Sequence, residues 1–171
     1  ISGFSGSGIS GYSGSGIYRN VWLTTVHPIH VDHWGTYIFT SEVSLSSAKI
    51  NISTSIKNSS GKNVTAIVKH QLLNAKAKKV AQTSGVVQLS NTETTVSQLD
   101  FSVANPVLWD VENPYLYKVL TIIEIDGKKV DNYVTSIGIR TFRFDAYKGF
   151  FLNGKHLKIN GVCNHHDLGA L

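Results

Sequence analysis

The stretch AKINISTSIKN at residues 48–58 constrains the fold more than any other part of the chain. Ile50, Ile52, Thr54 and Ile56 alternate with Lys49, Asn51, Ser53, Ser55 and Lys57. A period of two places the first set on one face of a strand and the second on the other, so one face is buried and one is wet. A helix would scatter the same residues around its axis. The segment Asn58-Ser59-Ser60-Gly61-Lys62 then reads as a turn, and Val64, Ala66 and Val68 continue the alternation in a partner strand. Further strands are expected around residues 86–89, 94–103, 115–125 and 129–139, with Asp126-Gly127 as a tight hairpin turn between the last two. Closely spaced strands, turn signals between them and no segment of helical period predict an all-β, immunoglobulin-like β-sandwich over residues 28–143.

Both flanks differ in character. The first twenty residues contain an eight-residue duplication, SGFSGSGI at 2–9 and SGYSGSGI at 10–17, of linker-like composition. Val21, Trp22, Thr24, Thr25 and Val26 follow as a β-prone run that Pro28 ends, which predicts a first strand ahead of the sandwich. Beyond it, Gly149-Phe150-Phe151-Leu152-Asn153-Gly154-Lys155 reads as a small hairpin with an Asn-Gly turn. Residues 157–162 read as a new apolar strand, where a second domain would begin.

Composition narrows the functional classes. A 42% hydrophobic fraction with 16% charged residues describes a soluble globular chain rather than a disordered tail. No run approaches the roughly 20 apolar residues of a membrane helix, and no secretory leader pattern opens the sequence, so no membrane partner is expected and the compartment stays open. A single cysteine, Cys163, precludes an internal disulfide framework. The net charge of +5 is spread, with local groups only at Lys76, Lys78 and Lys79 and at Lys128 and Lys129, which argues for solvated strand ends rather than a nucleic-acid face.

Candidate chemistry is sparse. His30-Val31-Asp32-His33 and His165-His166-Asp167 invite a metal, but adjacent strand residues point to opposite faces, and His30 and His33 read better as polar groups in a loop leading into a strand. Cys163 in an apolar strand reads as a small hydrophobe rather than a nucleophile. Asp110 and Glu112 could be imagined as a glycosidase carboxylate pair. Their setting in Trp109-Asp110-Val111-Glu112-Asn113-Pro114-Tyr115-Leu116-Tyr117 favours turn stabilisation, with Trp109 and Tyr115 as packing anchors.

Five blocks carry a resemblance. SGSGIYRNVWL at 13–23, VDHWGTYI at 31–38, LWDVENPYLY at 108–117, GIRTFRFD at 138–145 and GFFLNGKHLKINGVCNHHDLGAL at 149–171 resemble glycoside hydrolase family 2, in the family's order and closest to bacterial β-galactosidases. The resemblance implies three parts: residues 1–27 as the Gly/Ser-rich segment and last strand of a sugar-binding jelly-roll domain, 28–143 as the sandwich, and 144–171 as a linker hairpin and the first strand of a catalytic (β/α)8 barrel. It implies a carbohydrate partner, a β-galactoside, and a retaining hydrolase whose two catalytic glutamates lie on later barrel strands, so no catalytic residue is expected within these 171 residues. His165, at the matching end of the first barrel strand, would bind substrate. No metal ligands or cofactor are identifiable, and a homo-oligomer is compatible with the resemblance. The alternative is a non-catalytic immunoglobulin-like module binding carbohydrate or protein, for which the last 22 residues would have no use.

Overall fold

The computed structural model describes residues 20–162, and these form ten strands and no helix. Seven make two facing sheets. The strands are β1 (Ile29–Ser41), β2 (Ser47–Asn58), β3 (Val64–Leu73), β4 (Lys79–Leu89), β5 (Thr94–Ala104), β6 (Tyr117–Ile125) and β7 (Lys128–Ile137). One sheet has the order β1-β2-β5 and the other β4-β3-β6-β7, all neighbours antiparallel. This is an immunoglobulin-like sandwich in which the fourth strand sides with β3 rather than with β5. A third, small sheet follows, with β8 (Phe142–Asp145), β9 (Gly149–Leu152) and β10 (Lys155–His156) in the order β10-β9-β8.

The alternation in β2 sets the core as expected. Ile50, Ile52, Thr54 and Ile56 are all buried, while Lys49, Asn51, Ser53 and Ser55 are partly open to solvent. Val64, Ala66 and Val68 do alternate in a strand, but β3 is not the hydrogen-bonded partner of β2. It pairs with β4 and β6, so the turn after Asn58 carries the chain from one sheet to the other. Alternation fixes which face is apolar and says nothing of which neighbour completes the ladder.

Two apolar clusters fill the space between the sheets. Ala48, Ile50, Ile52, Leu72, Phe101, Val103, Tyr117, Val119 and Ile139 pack at one end. Ile29, Val31, Ile56, Ala66, Val68, Leu89 and Ile123 pack at the other. Between them lies a polar belt of buried Thr54, Ser97, His70 and Thr121. Register brings them together in pairs, Thr54 opposite Ser97 and His70 opposite Thr121.

Three expectations need correction. Residues 20–27 form no strand, and Trp22 and Leu23 are 83% and 97% exposed. Strand propensity reflects packing on a sheet, and no described strand runs beside this segment. His30 and His33 lie within β1, not in a loop before it. There the ladder passes from Val31 opposite Ile56 to Thr36 opposite Thr54, so Ser55 alone faces residues 32–35, a bulge that reads in sequence as loop. Trp34 takes φ 53° within it, and a Cβ on Gly35 would sit 2.7 Å from the Asp32 carbonyl oxygen and 2.8 Å from that of Ser55, so only glycine closes the bulge. Finally, residues 157–162 carry no ladder, since no described strand runs beside them to complete their hydrogen bonds.

Candidate functional site

The chain between β5 and β6 forms a stiff corner at the end of the first cluster. Tyr117 lies at the start of β6, and its Oη accepts a hydrogen bond from the Val107 amide at 2.9 Å, tying the strand to the chain ten residues upstream. Tyr115 packs edge-on against it with ring centroids 4.9 Å apart, and its Oη accepts from the Ala75 amide at 3.1 Å. Asp110 Oδ1 accepts from the Glu112 amide at 3.3 Å, and the Asp110 amide donates to the Asn113 carbonyl at 3.0 Å. Asp110 and Glu112 therefore build a turn, as their setting in the sequence indicated, and their loop offers no paired-carboxylate site.

Trp109 connects this corner to the chain leaving β7. Its amide donates to the Ile139 carbonyl at 2.8 Å, and the Arg140 guanidinium lies over its indole, 5.0 Å from the ring centroid. A Cβ on Gly138 would come within 2.7 Å of the Trp109 side chain, so the chain leaving β7 passes directly against that side chain. Thr40 Oγ1 donates to the Arg140 carbonyl at 2.9 Å and holds the same segment to β1.

Asn153 fastens the third sheet to this junction. It occupies the left-handed first position of the β9–β10 turn, φ 48°, followed by Gly154 at φ 78°, the pattern of a tight Asn-Gly hairpin. Its backbone amide donates to the Thr141 carbonyl at 2.9 Å, while its Oδ1 accepts from the Thr141 amide at 3.0 Å. Its Nδ2 donates to the Trp109 carbonyl at 2.9 Å. One side chain thus joins three segments of chain.

The small sheet turns an aromatic face outward. Phe142 and Phe144 share a face of β8 by parity, and Phe144 stands opposite Phe150 on β9 with ring centroids 5.1 Å apart. Phe142 is 61% exposed and Phe144 73%. With Trp109, Arg140 and Leu157 they line an open groove of about 430 Å³. A second groove of about 550 Å³ meets it at Arg140 and Phe142 and is walled by Tyr37, Phe39 and Leu116. On the opposite parity, the Arg143 guanidinium stacks on Phe151 at 3.7 Å and bonds Asp145 at 3.2 Å. The amides of Tyr147 and Lys148, and then Arg143, hold the Asp145 carboxyl below its usual range.

The other sequence candidates fall elsewhere. His30 Nδ1 lies 2.7 Å from the His27 carbonyl oxygen, and the His33 ring stacks on Trp34 at 4.7 Å. Among the described residues no three His, Cys, Asp or Glu side chains converge on a metal-sized site. Lys76, Lys78 and Lys79 sit at the β3–β4 turn, and Lys128 and Lys129 at the β6–β7 turn, which the register places at opposite ends of the sheet. Cys163, His165, His166 and Asp167 lie outside the described residues. Asn153 and the paired phenylalanines carried a signal in sequence, the Asn-Gly turn and the alternating Phe-Arg-Phe, yet only the tertiary contacts show what they join.

The profile of glycosyl hydrolases family 2 matches residues 29–140, the extent of the sandwich and its exit. The chain belongs to that family. It is similar to the β-galactosidase BoGH2A of Bacteroides ovatus, 46% identical over 155 residues that make up 91% of this chain and 18% of that protein. It is also similar to a β-glucuronidase of Formosa agariphila, at 32% identity over 85% of this chain and 16% of the relative. Among solved structures, a family 2 member from Bacteroides cellulosilyticus superposes with a TM-score of 0.79 at 34% identity, covering 83% of this chain and 18% of that one. Bacteroides uniformis β-glucuronidase 2, covalently bound to cyclophellitol-6-carboxylate aziridine, gives 0.79 at 33% identity over 89% of this chain and 19% of its own. The family 2 chain described here therefore spans less than a fifth of the length of these relatives.

Proposed function

We propose that this chain is the scaffold sector of a retaining family 2 β-glycosidase of β-galactosidase type. The supporting observation is its 46% identity, over 91% of its length, to a protein named as a β-galactosidase, against 32% to the β-glucuronidase of Formosa agariphila. In this reading residues 1–27 end a sugar-binding domain, 28–143 are the sandwich, and 144–171 lead through the linker hairpin into the first strand of a catalytic barrel. Active sites of such barrels are built at the C-terminal ends of their strands, and His165 would stand at the end of the first. There its imidazole would donate a hydrogen bond to a sugar hydroxyl, one that strengthens as the ring gains oxocarbenium character.

The chemistry itself belongs to two glutamates beyond this chain. One protonates the leaving oxygen and the other attacks the anomeric carbon, giving a covalent glycosyl-enzyme that water then releases. The aziridine adduct of Bacteroides uniformis β-glucuronidase 2 supports the presence of such a nucleophile in a relative. The 171 residues alone are then inactive. The test compares this chain with the longer polypeptide that contains it, on 4-nitrophenyl β-galactoside and β-glucuronide. Galactoside hydrolysis by the longer protein alone is expected. Turnover by the purified 171-residue chain, or preference of the longer protein for the glucuronide, would overturn the reading.

A further inference from the structure

We propose that the Asn153-Gly154 turn is a latent deamidation site, closed while Thr141 and Trp109 hold the Asn153 carboxamide and committed irreversibly to aspartate and isoaspartate once that junction opens. The first support is the chemistry of the pair. Glycine carries no side chain to shield its amide, so the Gly154 nitrogen is free to attack Cγ of Asn153. A bond forms between that nitrogen and Cγ, the bond from Cγ to Nδ2 breaks, and ammonia leaves with the Gly154 amide proton. Water then opens the resulting succinimide at either carbonyl carbon, giving aspartate or isoaspartate. Gly154 is exposed, and a Cβ on it would meet nothing within 4 Å, so water reaches the turn.

The second support is what withholds the reaction. Attack requires the carboxamide to turn onto the Gly154 nitrogen, yet both of its ends are engaged elsewhere. Oδ1 accepts from the Thr141 amide at 3.0 Å, and Nδ2 donates to the Trp109 carbonyl at 2.9 Å. The Asn153 amide adds a bond to the Thr141 carbonyl at 2.9 Å. Both side-chain bonds must be released first, and at about fivefold in population each they slow the reaction roughly 25-fold. The third support is a contrast within the same sequence, whose other Asn-Gly pair is Asn160-Gly161. Both of those residues are exposed and outside any strand, and a Cβ on Gly161 would meet nothing within 4 Å. Asn160 is thus the unrestrained reference for Asn153. Conversion also removes its own restraint. The acid product has no Nδ2–H for the Trp109 carbonyl and sets a carboxylate oxygen there instead, and the isoaspartyl form adds a methylene to the main chain of a two-residue turn.

Peptide mapping by mass spectrometry tests this on the 171-residue chain, held for days in mildly alkaline buffer and in concentrated guanidinium chloride. A cooperative denaturant transition first confirms that the buffer sample is folded. In buffer Asn160 should convert at least about tenfold faster than Asn153, whereas in denaturant the two should convert at like rates. Equal rates in buffer, or protection of Asn153 that persists in denaturant, would overturn the proposal. Asn153→Asp supplies the acid product directly. Its β8 and β9 amides should exchange hydrogen faster than those of the wild type, with exchange in β2 and β3 unchanged. Unaltered exchange in β8 and β9 would refute the claim that conversion releases the junction.

Discussion

Acidification should destabilise this sandwich through one residue, His70. Its side chain is wholly buried in the polar belt, where Nδ1 shares a 3.0 Å hydrogen bond with Thr121 Oγ1. Nε2, like the Oγ1 of Thr54 in the same belt, has no hydrogen-bond partner among the described residues. Burial penalises the charged imidazolium and lowers the His70 pKa from 6.5 to about 4. Above pH 6.5 the ring is neutral in both folded and unfolded chains, so it makes no difference to stability. Below that value the unfolded chain takes up a proton that the folded chain refuses, and stability falls with pH until the folded pKa of about 4 is reached. Over that window the loss is about 1.4 kcal/mol per pH unit, or roughly 3 kcal/mol in all.

His70→Leu removes the titration while keeping an apolar side chain of similar size. It strands Thr121 Oγ1, which costs about 1 kcal/mol at every pH and so cancels from the pH dependence. Asp145 is present in both proteins, so its contribution cancels in the same way. Urea unfolding followed by tryptophan fluorescence, from about pH 7.5 down to about pH 4.5, should show the wild type losing roughly 2–3 kcal/mol more than His70→Leu. Parallel losses in the two proteins would show that the histidine is not held neutral by the fold, and the account of the belt would fail.

Four further substitutions probe the packing. Ile52→Ala should cost about 2–5 kcal/mol in urea unfolding, while Ser53→Ala on the opposite face should stay within about 0.5 kcal/mol, and equal costs would mean the register of β2 is wrong. Gly138→Ala places a methyl group 2.7 Å from the Trp109 side chain and should lower stability by about 1–3 kcal/mol with a shift in tryptophan fluorescence. Tyr117→Phe leaves the Val107 amide without its acceptor and should cost about 1–2 kcal/mol, whereas an unchanged thermal melt would show that the corner is held by packing alone.

Much of the architecture was legible because local pattern and burial agree inside the sandwich. The parity of β2 is reproduced residue by residue, and Asp126-Gly127 turns the β6–β7 hairpin with φ 50° and 74°, as that dipeptide indicates. His70 was equally marked, since it follows Ala66 and Val68 at the inward parity of β3. Two features were hidden for physical reasons. The bulge in β1 breaks parity over four residues, so Asp32-His33-Trp34-Gly35 reads as a loop although the strand resumes at Thr36. The pairing of β3 was hidden because an alternating strand is satisfied by any neighbour that completes its hydrogen bonds, and sequence alone does not name that neighbour.

Among the described residues, pattern and burial disagree at both flanks of the sandwich. Val21, Trp22 and Leu23 have strand composition and stand open to solvent. Phe142 and Phe144 alternate as core residues do and are exposed. Ile159 and Val162, in a segment that reads as a buried strand, are exposed as well. A sequence that were wrong for its fold would scatter such conflicts through the core, since consistency across levels is what defines a foldable chain. Here the apolar positions of the two clusters are free of them, and these three conflicts lie where the chain enters and leaves the sandwich. That distribution accords with the scaffold role proposed above. The apolar interior packs within the sandwich around its polar belt, while the apolar residues at both flanks stand open to solvent.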